Sequence, residues 1–350
     1  MILKKLIFKL LFKKNNNILD LKKYDWIYMS VYYDKKLVSG ANIRFFEITR
    51  SIQNDNVLFI SFDELSSKNF LIIKKFWNTK FRKQIVAVFI QLLFWNKVVH
   101  FDNFPWLRNK KHWYLIHDVG SLIPKLRRSG WVRSILFKFF LKKQQKIITV
   151  SNTSKNELTK FNILHKNIFV SYNSSSFLDL ILKKEKKTFE FCLVTSGQKH
   201  KRDHDILKAL IKLNVKVCII SNNQKFLKIY KKSKSIKTFL SPNENKKLKL
   251  LKKSKFYISY SQIEGFGITV LEALCCKCIC ILSKLDVFYE LFYFSKNVHM
   301  LEENKDLFFQ LKNLTDKNLK YTDEKIKLPS WKKISYELDL FLSSQKERFK

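Results

Sequence analysis

Two carboxylates with seven residues between them, and a glycine turn just after the first, are the densest chemistry in the chain. They lie in the segment Tyr257 to Leu291, YISYSQIEGFGITVLEALCCKCICILSKLDVFYEL. Glu264 leaves the end of a short apolar run, Gly265-Phe266-Gly267 make a turn, and from Ile268 the apolar residues take helical spacing, with Glu272 in an early turn. Glycine lets backbone approach a ligand closely, and the free N–H groups at a helix start suit a phosphate or diphosphate. One carboxylate on the loop and one on the helix could accept hydrogen bonds from hydroxyls at opposite ends of a bound nucleotide sugar.

Other candidate groups are sparser. His117 ends the run WYLIH, and Lys201 lies in SGQKHKRDHDILKAL. His200 and His204 flank that lysine without metal-ligand spacing to an acidic or cysteine cluster, so no metal is assigned to them. Of six Cys, four crowd into Cys275, Cys276, Cys278 and Cys280. Zinc ligands are paired with at least two residues between them, so these read as small buried hydrophobes in a reducing cytosol.

The elements that must position these residues alternate in type. Trp26–Tyr33, Val57–Phe62, Lys97–Phe101, Trp113–His117 and Lys146–Ser151 have the short, β-branched and aromatic character of strands; Ile43–Ile52 and Trp131–Lys142 have helical spacing. After a polar and then charged stretch, a second series starts with Phe189–Ser196, Val215–Ser221, Phe256–Tyr260 and Ile279–Ser283. The alternation predicts parallel sheets, hence an α/β protein of two αβα layers with ligands at the C-terminal strand ends.

Composition narrows the function classes. The 350 residues are 46% hydrophobic with 32 Phe, enough for a sizeable core, and the longest uncharged apolar run, Ile85 to Trp95, is too short to span a membrane. Sixty-eight Lys and Arg against 29 Asp and Glu give a net charge of +39, which suits an anionic partner. Lysine far outnumbers arginine, the residue of bidentate phosphate and base readout, so nucleic acid is not expected as that partner. The opening MILKKLIFKLLFKK places Leu3, Ile7, Leu10 and Leu11 on one helical face among lysines. Such a segment either lies on an anionic membrane surface or packs on the body as a terminal helix; it does not read as an export signal.

EGFGITVLEAL resembles the donor-binding motif of the retaining glycosyltransferases of family four, which have the GT-B fold. Further segments resemble that family in the same order: SGAN at Ser39–Asn42, IHD at Ile116–Asp118, Lys146–Ser175, Ser196–Leu210 and SWKKISYELDLFL near the end. The resemblance covers about residues 25 to 342. It implies two Rossmann-like αβα domains facing a central cleft: an N-terminal extension 1–24, an acceptor-side domain 25–175, a linker 176–187 and a donor-side domain 188–330. A closing helix at about 331–345 would pack back on the first domain.

The resemblance also implies roles. Glu264 contacts the donor sugar, Glu272 the nucleotide ribose, His117 the sugar, and Lys201 the departing diphosphate, with Gly40, Gln198, Arg202, Gly265, Phe266, Gly267 and Ile268 lining the donor site. The implied reaction is transfer of a hexose from a nucleotide-diphosphate sugar to a glycan or lipid-linked acceptor with retention of configuration. No Asp-x-Asp pair stands at a strand end, which agrees with metal-independent donor handling, and no cofactor is expected. The expected location is cytoplasmic, peripheral at the inner face of the cell membrane. A sugar-nucleotide epimerase of the same fold and a non-catalytic polyanion-binding protein are the alternatives. The chain departs from the family pattern at Gln198, where an Arg is usual, at Ser174 and Lys277, where a Gly is usual, at Ile279, where a Pro is usual, and at Ser221-Asn222-Asn223, which replaces a Gly-containing strand end.

Overall fold

The computed structural model describes residues 2–13, 23–30, 33, 40–65, 69–102, 107–122, 135, 139, 141, 146–180 and 185–347. They divide into two compact units, the first holding residues up to 122, 146–173 and 331–347, the second holding 174–330.

In the first unit α1 (Ile2–Leu11) precedes β1 (Trp26–Ser30), α2 (Gly40–Ser51), β2 (Val57–Ser61), β3 (Phe70–Ile72), α3 (Lys80–Leu93), β4 (Val98–Asp102), β5 (His112–Ile116), β6 (Lys146–Thr149), α4 (Asn152–Thr159) and β7 (Ile168–Val170). The seven strands form a wholly parallel sheet in the order β3-β2-β1-β4-β5-β6-β7. Every residue of β1, β2, β4 and β5 is buried, as expected for parallel strands covered on both faces.

The second unit runs β8 (Phe189–Thr195), α5 (Asp203–Lys212), β9 (Val217–Ser221), α6 (Gln224–Tyr230), β10 (Ile236–Leu240), α7 (Glu244–Lys252), β11 (Ser254–Ser259), α8 (Ile268–Cys275), β12 (Ile279–Ser283), α9 (Asp286–Phe292), β13 (Val298–Leu301) and α10 (Leu307–Asp316). Its six-stranded sheet is also parallel, in the order β10-β9-β8-β11-β12-β13. The last helix, α11 (Trp331–Glu347), belongs to the first unit, where Asp339 accepts hydrogen bonds from Trp26 Nε1 (2.7 Å) and Asn54 (3.0 Å).

The expected strands are present, with ends shifted by at most three residues. The four strands absent from the sequence reading, β3, β7, β10 and β13, are the sheet edges. Each buries only part of its residues, so none shows the continuous apolar run that marks a central strand. The helix expected over Trp131–Lys142 lies outside the described residues except at 135, 139 and 141. Part of the expected linker at 176–187 is built into the second unit, with Phe177 buried.

The N-terminal segment is not a detached anchor. Leu11 and Phe12 are buried in the core of the first unit, with Ile7 and Phe8 packed against it. Phe12 forms an antiparallel bridge with Ile73. Leu10, expected on the same face as Ile7 and Leu11, instead points to solvent with Leu6. The helix is apolar on two sides, so burying one leaves the other exposed. Among the described residues no helix is long and apolar enough to cross a membrane.

Candidate functional site

In each sheet the chain fills one side of its first strand before crossing to the other. The reversal falls between β1 and β4 in the first unit and between β8 and β11 in the second. Adjacent loops leave in opposite directions at such a point, opening a crevice at the C-terminal strand ends.

The β8/β11 point gathers most of the predicted residues. The loop after β8 turns through Gly197, at φ +69°, where an added Cβ would lie 3.0 Å from Asn223 and Phe226 side-chain atoms. Gln198 follows in extended backbone, and a 3-10 turn, Lys199–Lys201, leads to Arg202 in the left-handed region at the start of α5. The loop after β11 carries Glu264. Gln262 N donates to the His200 carbonyl (2.8 Å), tying the two loops together. Lys201 Nζ forms an ion pair with Glu264 Oε1, which also accepts from Ser261 Oγ (2.8 Å). Arg202 pairs with Glu303 (3.3 Å) and lies over the Tyr260 ring.

Gly267 opens α8 at φ +92°. A Cβ there would meet Phe288 Cε1 at 2.8 Å, so both conformation and space demand glycine. It supplies no side-chain cap to the helix start. Phe266 and Ile268 turn inward and are buried, leaving their backbone as what they can offer a ligand.

Glu272 is also buried, and its Oε1 accepts from Lys247 Nζ (2.8 Å) on α7. Lys247 is buried too and pairs further with Glu244 (3.0 Å). Burial pushes the Glu272 carboxyl above its ordinary value against the pull of Lys247. Burial alone would lower the Lys247 ammonium, but the two carboxylates outweigh it and hold it above the usual lysine value. Among the described residues Glu272 Oε2 has no hydrogen-bond partner. A buried acceptor left unpaired costs about 1–3 kcal/mol, and such groups call for a ligand or a structural reason.

Beneath the loop after β8, Asp203 accepts from Thr195 Oγ1, which itself accepts from Gly197 N (3.0 Å). Burial pushes the Asp203 carboxyl up to about 6, against the Thr195 bond and the charges of Lys201 and His204.

The other two predicted residues lie in the first unit. Gly40 is exposed and begins α2. His117, just past β5, has its Nε2 3.3 Å from Asp102 Oδ1 at the end of β4, and Asp102 Oδ2 accepts from Ser30 Oγ (3.2 Å) at the end of β1. The β1/β4 point thus holds a Ser30–Asp102–His117 chain. Behind it His100 stacks on Tyr28 at 4.4 Å. Burial first, then the nearby Arg44 charge, lower the pKa of His100 well below the ordinary histidine value.

Three departures from the family pattern have local structural answers. Lys277 adopts the left-handed conformation (φ 58°) that ends α8 and that glycine favours, while Cys278 N donates to the Ala273 carbonyl (2.9 Å). Asn223 caps α6 by accepting from Phe226 N (3.1 Å) and donates to the Ser196 carbonyl (3.2 Å). Ser174 is buried with a negative φ, so its backbone does not require glycine. Cys276, Cys278 and Cys280 are buried free thiols, and burial pushes Cys278 up to about 12. Among the described residues no three His, Cys, Asp or Glu side chains gather into a metal-holding group.

Sequence reasoning missed Asp102, Ser30, Ser261, Asp203 and Lys247. Asp102 had a signal: a carboxylate ending the apolar run VVHFD. Lys247 had a fainter one, since helical spacing sets it with Leu250 and Leu251 on the buried stripe of α7.

Residues 177–318 match the family described as Glycosyl transferases group 1. The chain is 30% identical over 207 residues to the O-antigen chain mannosyltransferase RfbU of Salmonella typhimurium (strain LT2), a match over 53% of this chain and 55% of that protein. It therefore spans about half the length of this curated relative. Among solved structures it resembles WaaG, a glycosyltransferase involved in lipopolysaccharide biosynthesis, with a TM-score of 0.65 and 13% identity over 92% of this chain and 98% of that one. HepE of Anabaena, in complex with UDP and glucose, gives a TM-score of 0.62 and 12% identity over 92% and 97%. The protein has the GT-B fold, and within it residues 177–318 are similar to the Glycosyl transferases group 1 family.

Proposed function

We propose that this protein is a retaining, metal-independent hexosyltransferase of cell-surface polysaccharide or lipopolysaccharide synthesis. It would act in the cytoplasm, moving a sugar from a nucleoside-diphosphate donor to a glycan or lipid-linked acceptor. The observation that carries the reading is the β8/β11 point, where Lys201, Glu264 and the uncapped start of α8 meet within the matched domain. A diphosphate sugar brings an anion and a set of hydroxyls together, and this site offers a cation and a carboxylate already side by side.

On this reading the Lys201–Glu264 pair exchanges partners when donor binds. Lys201 turns to the diphosphate, where with the helix start it stabilises the charge that develops on the leaving group. Glu264 hydrogen-bonds the sugar; a sugar role for His117 rests on the family resemblance alone. The ribose supplies the donor that Glu272 Oε2 lacks. Gln198 leaves the cationic role to Lys201, with Arg202 beside it. Retention follows from the family resemblance.

Isothermal titration of the full chain with nucleoside diphosphates of each base, then a donor-hydrolysis screen of the matching sugar nucleotides, tests the proposal. UDP comes first, because the similar HepE structure holds it. Saturable binding selective for one base is expected. Salt-dependent binding to any polyanion, with no base preference, would overturn it in favour of a polyanion-binding protein.

A further inference from the structure

With Ile7, Phe8, Leu11 and Phe12 turned inward, α1 leaves Leu6 (62% exposed) and Leu10 (47%) four residues apart on its outer face. The 3-10 turn Lys75–Trp77 lies beside that face. Lys74 N donates to the Leu11 carbonyl (2.8 Å), Lys74 Nζ to the Lys9 carbonyl (2.6 Å) and Trp77 Nε1 to the Leu10 carbonyl (3.3 Å). Phe76, in the middle of this turn, is 62% exposed. α3 then begins, and Phe81 in its first turn is 76% exposed, the highest value among the described large hydrophobic residues. Arg82 joins the two elements, its guanidinium 4.0 Å from the Phe76 ring and its Nη1 donating to the Phe76 carbonyl (2.9 Å). Two leucines and two phenylalanines, on three elements held together by these bonds, therefore stand in water.

The charge around them is one-sided. Residues 2–13 and 69–93, which form these elements, contain nine Lys or Arg and no Asp or Glu. A soluble polyanion would use the cations, and one with bases could stack on the phenylalanines, but neither gains from the exposed Leu6 and Leu10. An anionic bilayer uses both: apolar side chains enter the boundary between headgroups and acyl chains, while ammonium and guanidinium groups meet the phosphates.

We infer that Leu6, Leu10, Phe76 and Phe81, with the surrounding basic residues, form a docking surface for an anionic lipid bilayer. The surface is part of the folded first unit, so it holds α1, the turn and the start of α3 against the membrane together. This inference does not rest on the transferase reading.

Sedimentation of the full chain with vesicles of phosphatidylcholine, alone or mixed with phosphatidylglycerol, tests it. Binding is expected to the mixed vesicles only and to weaken with salt. Leu10→Ser/Phe76→Ser/Phe81→Ser should lower vesicle affinity at least ~10-fold, and Lys9→Glu/Lys75→Glu by a similar factor. Tyr293→Ser/Phe309→Ser, exposed aromatics of the second unit, should change nothing. Phe81→Ser alone, at the most exposed position, gives a smaller loss in the same direction and serves if the triple variant melts early. Undiminished binding by the serine variants would overturn the inference. Loss of binding equal for mixed vesicles and soluble polyphosphate would overturn it too, in favour of a polyanion site.

Discussion

At the β1/β4 point three polar residues, Ser30, Asp102 and His117, are joined by hydrogen bonds at the strand ends, above Tyr28 and His100. At the β8/β11 point the same strand reversal is dressed differently: two loops with glycines at positive φ, an ion pair between them and a second, buried ion pair behind. One topology yields two crevices. What differs is the charge and the backbone freedom placed there. The first site is assembled from strand ends, which leave little room for rearrangement. The second is assembled from loops whose charged groups, Lys201 and Glu264, pair with each other.

The contrast is broken most directly at the buried pair. Lys247→Met should cost about 3–5 kcal/mol in urea unfolding, because Glu272 is left as a buried charge without its partner. Lys247→Met/Glu272→Leu should recover most of that stability but not nucleotide binding. Recovery of both would remove Glu272 from the site. For the half-buried Lys201–Glu264 pair, Glu264→Ala should lower turnover on the order of 10²–10³-fold while affinity for the free nucleoside diphosphate changes little. Equal losses would place Glu264 on the nucleotide rather than the sugar.

Asp203 supports the loop after β8 from below, and its pH dependence has a definite sign. Its carboxyl lies at about 6 in the fold against an ordinary 3.8, so the folded chain binds that proton more tightly than the unfolded one. Its contribution is most favourable below the ordinary value and is lost as pH rises from there through about 6. Asp203→Asn should remove this slope and raise stability at pH 8 by up to about 3 kcal/mol, read from urea midpoints across pH. A steeper loss of stability with rising pH in the variant would contradict the assignment.

In the first unit, Asp102→Asn should lower turnover by on the order of 10-fold or more, since Asp102 orients His117, while leaving nucleotide affinity unchanged. A merely structural role would lower stability and leave the turnover of the folded enzyme in place. The smallest effect is expected at the end of α8. Lys277→Gly relieves a left-handed lysine and should stabilise the chain by about 1 kcal/mol, offset in part by loss of the ion pair to Asp323 (2.6 Å).

The sequence by itself determined the parallel α/β class and the central strands. A strand buried on both faces must be apolar throughout, and that pattern survives without any knowledge of its neighbours. It also determined where glycine was required at Gly267, because the turn between a strand and a helix is a local event. The edge strands β3, β7, β10 and β13 were decided by tertiary structure, since half-exposed residues carry no distinctive pattern and pair only because a neighbouring strand is already in place. The same holds for the pairs Lys201–Glu264, Lys247–Glu272 and His117–Asp102, whose members are 63, 25 and 15 residues apart. Among 68 basic residues no spacing singles out Lys201 or Lys247 as partners of these carboxylates; the sheet order does, by setting distant strand ends and helices side by side. Which face of α1 meets water was settled in the same way. Its sequence is apolar on two sides, and only packing against α3 and the core chooses between them.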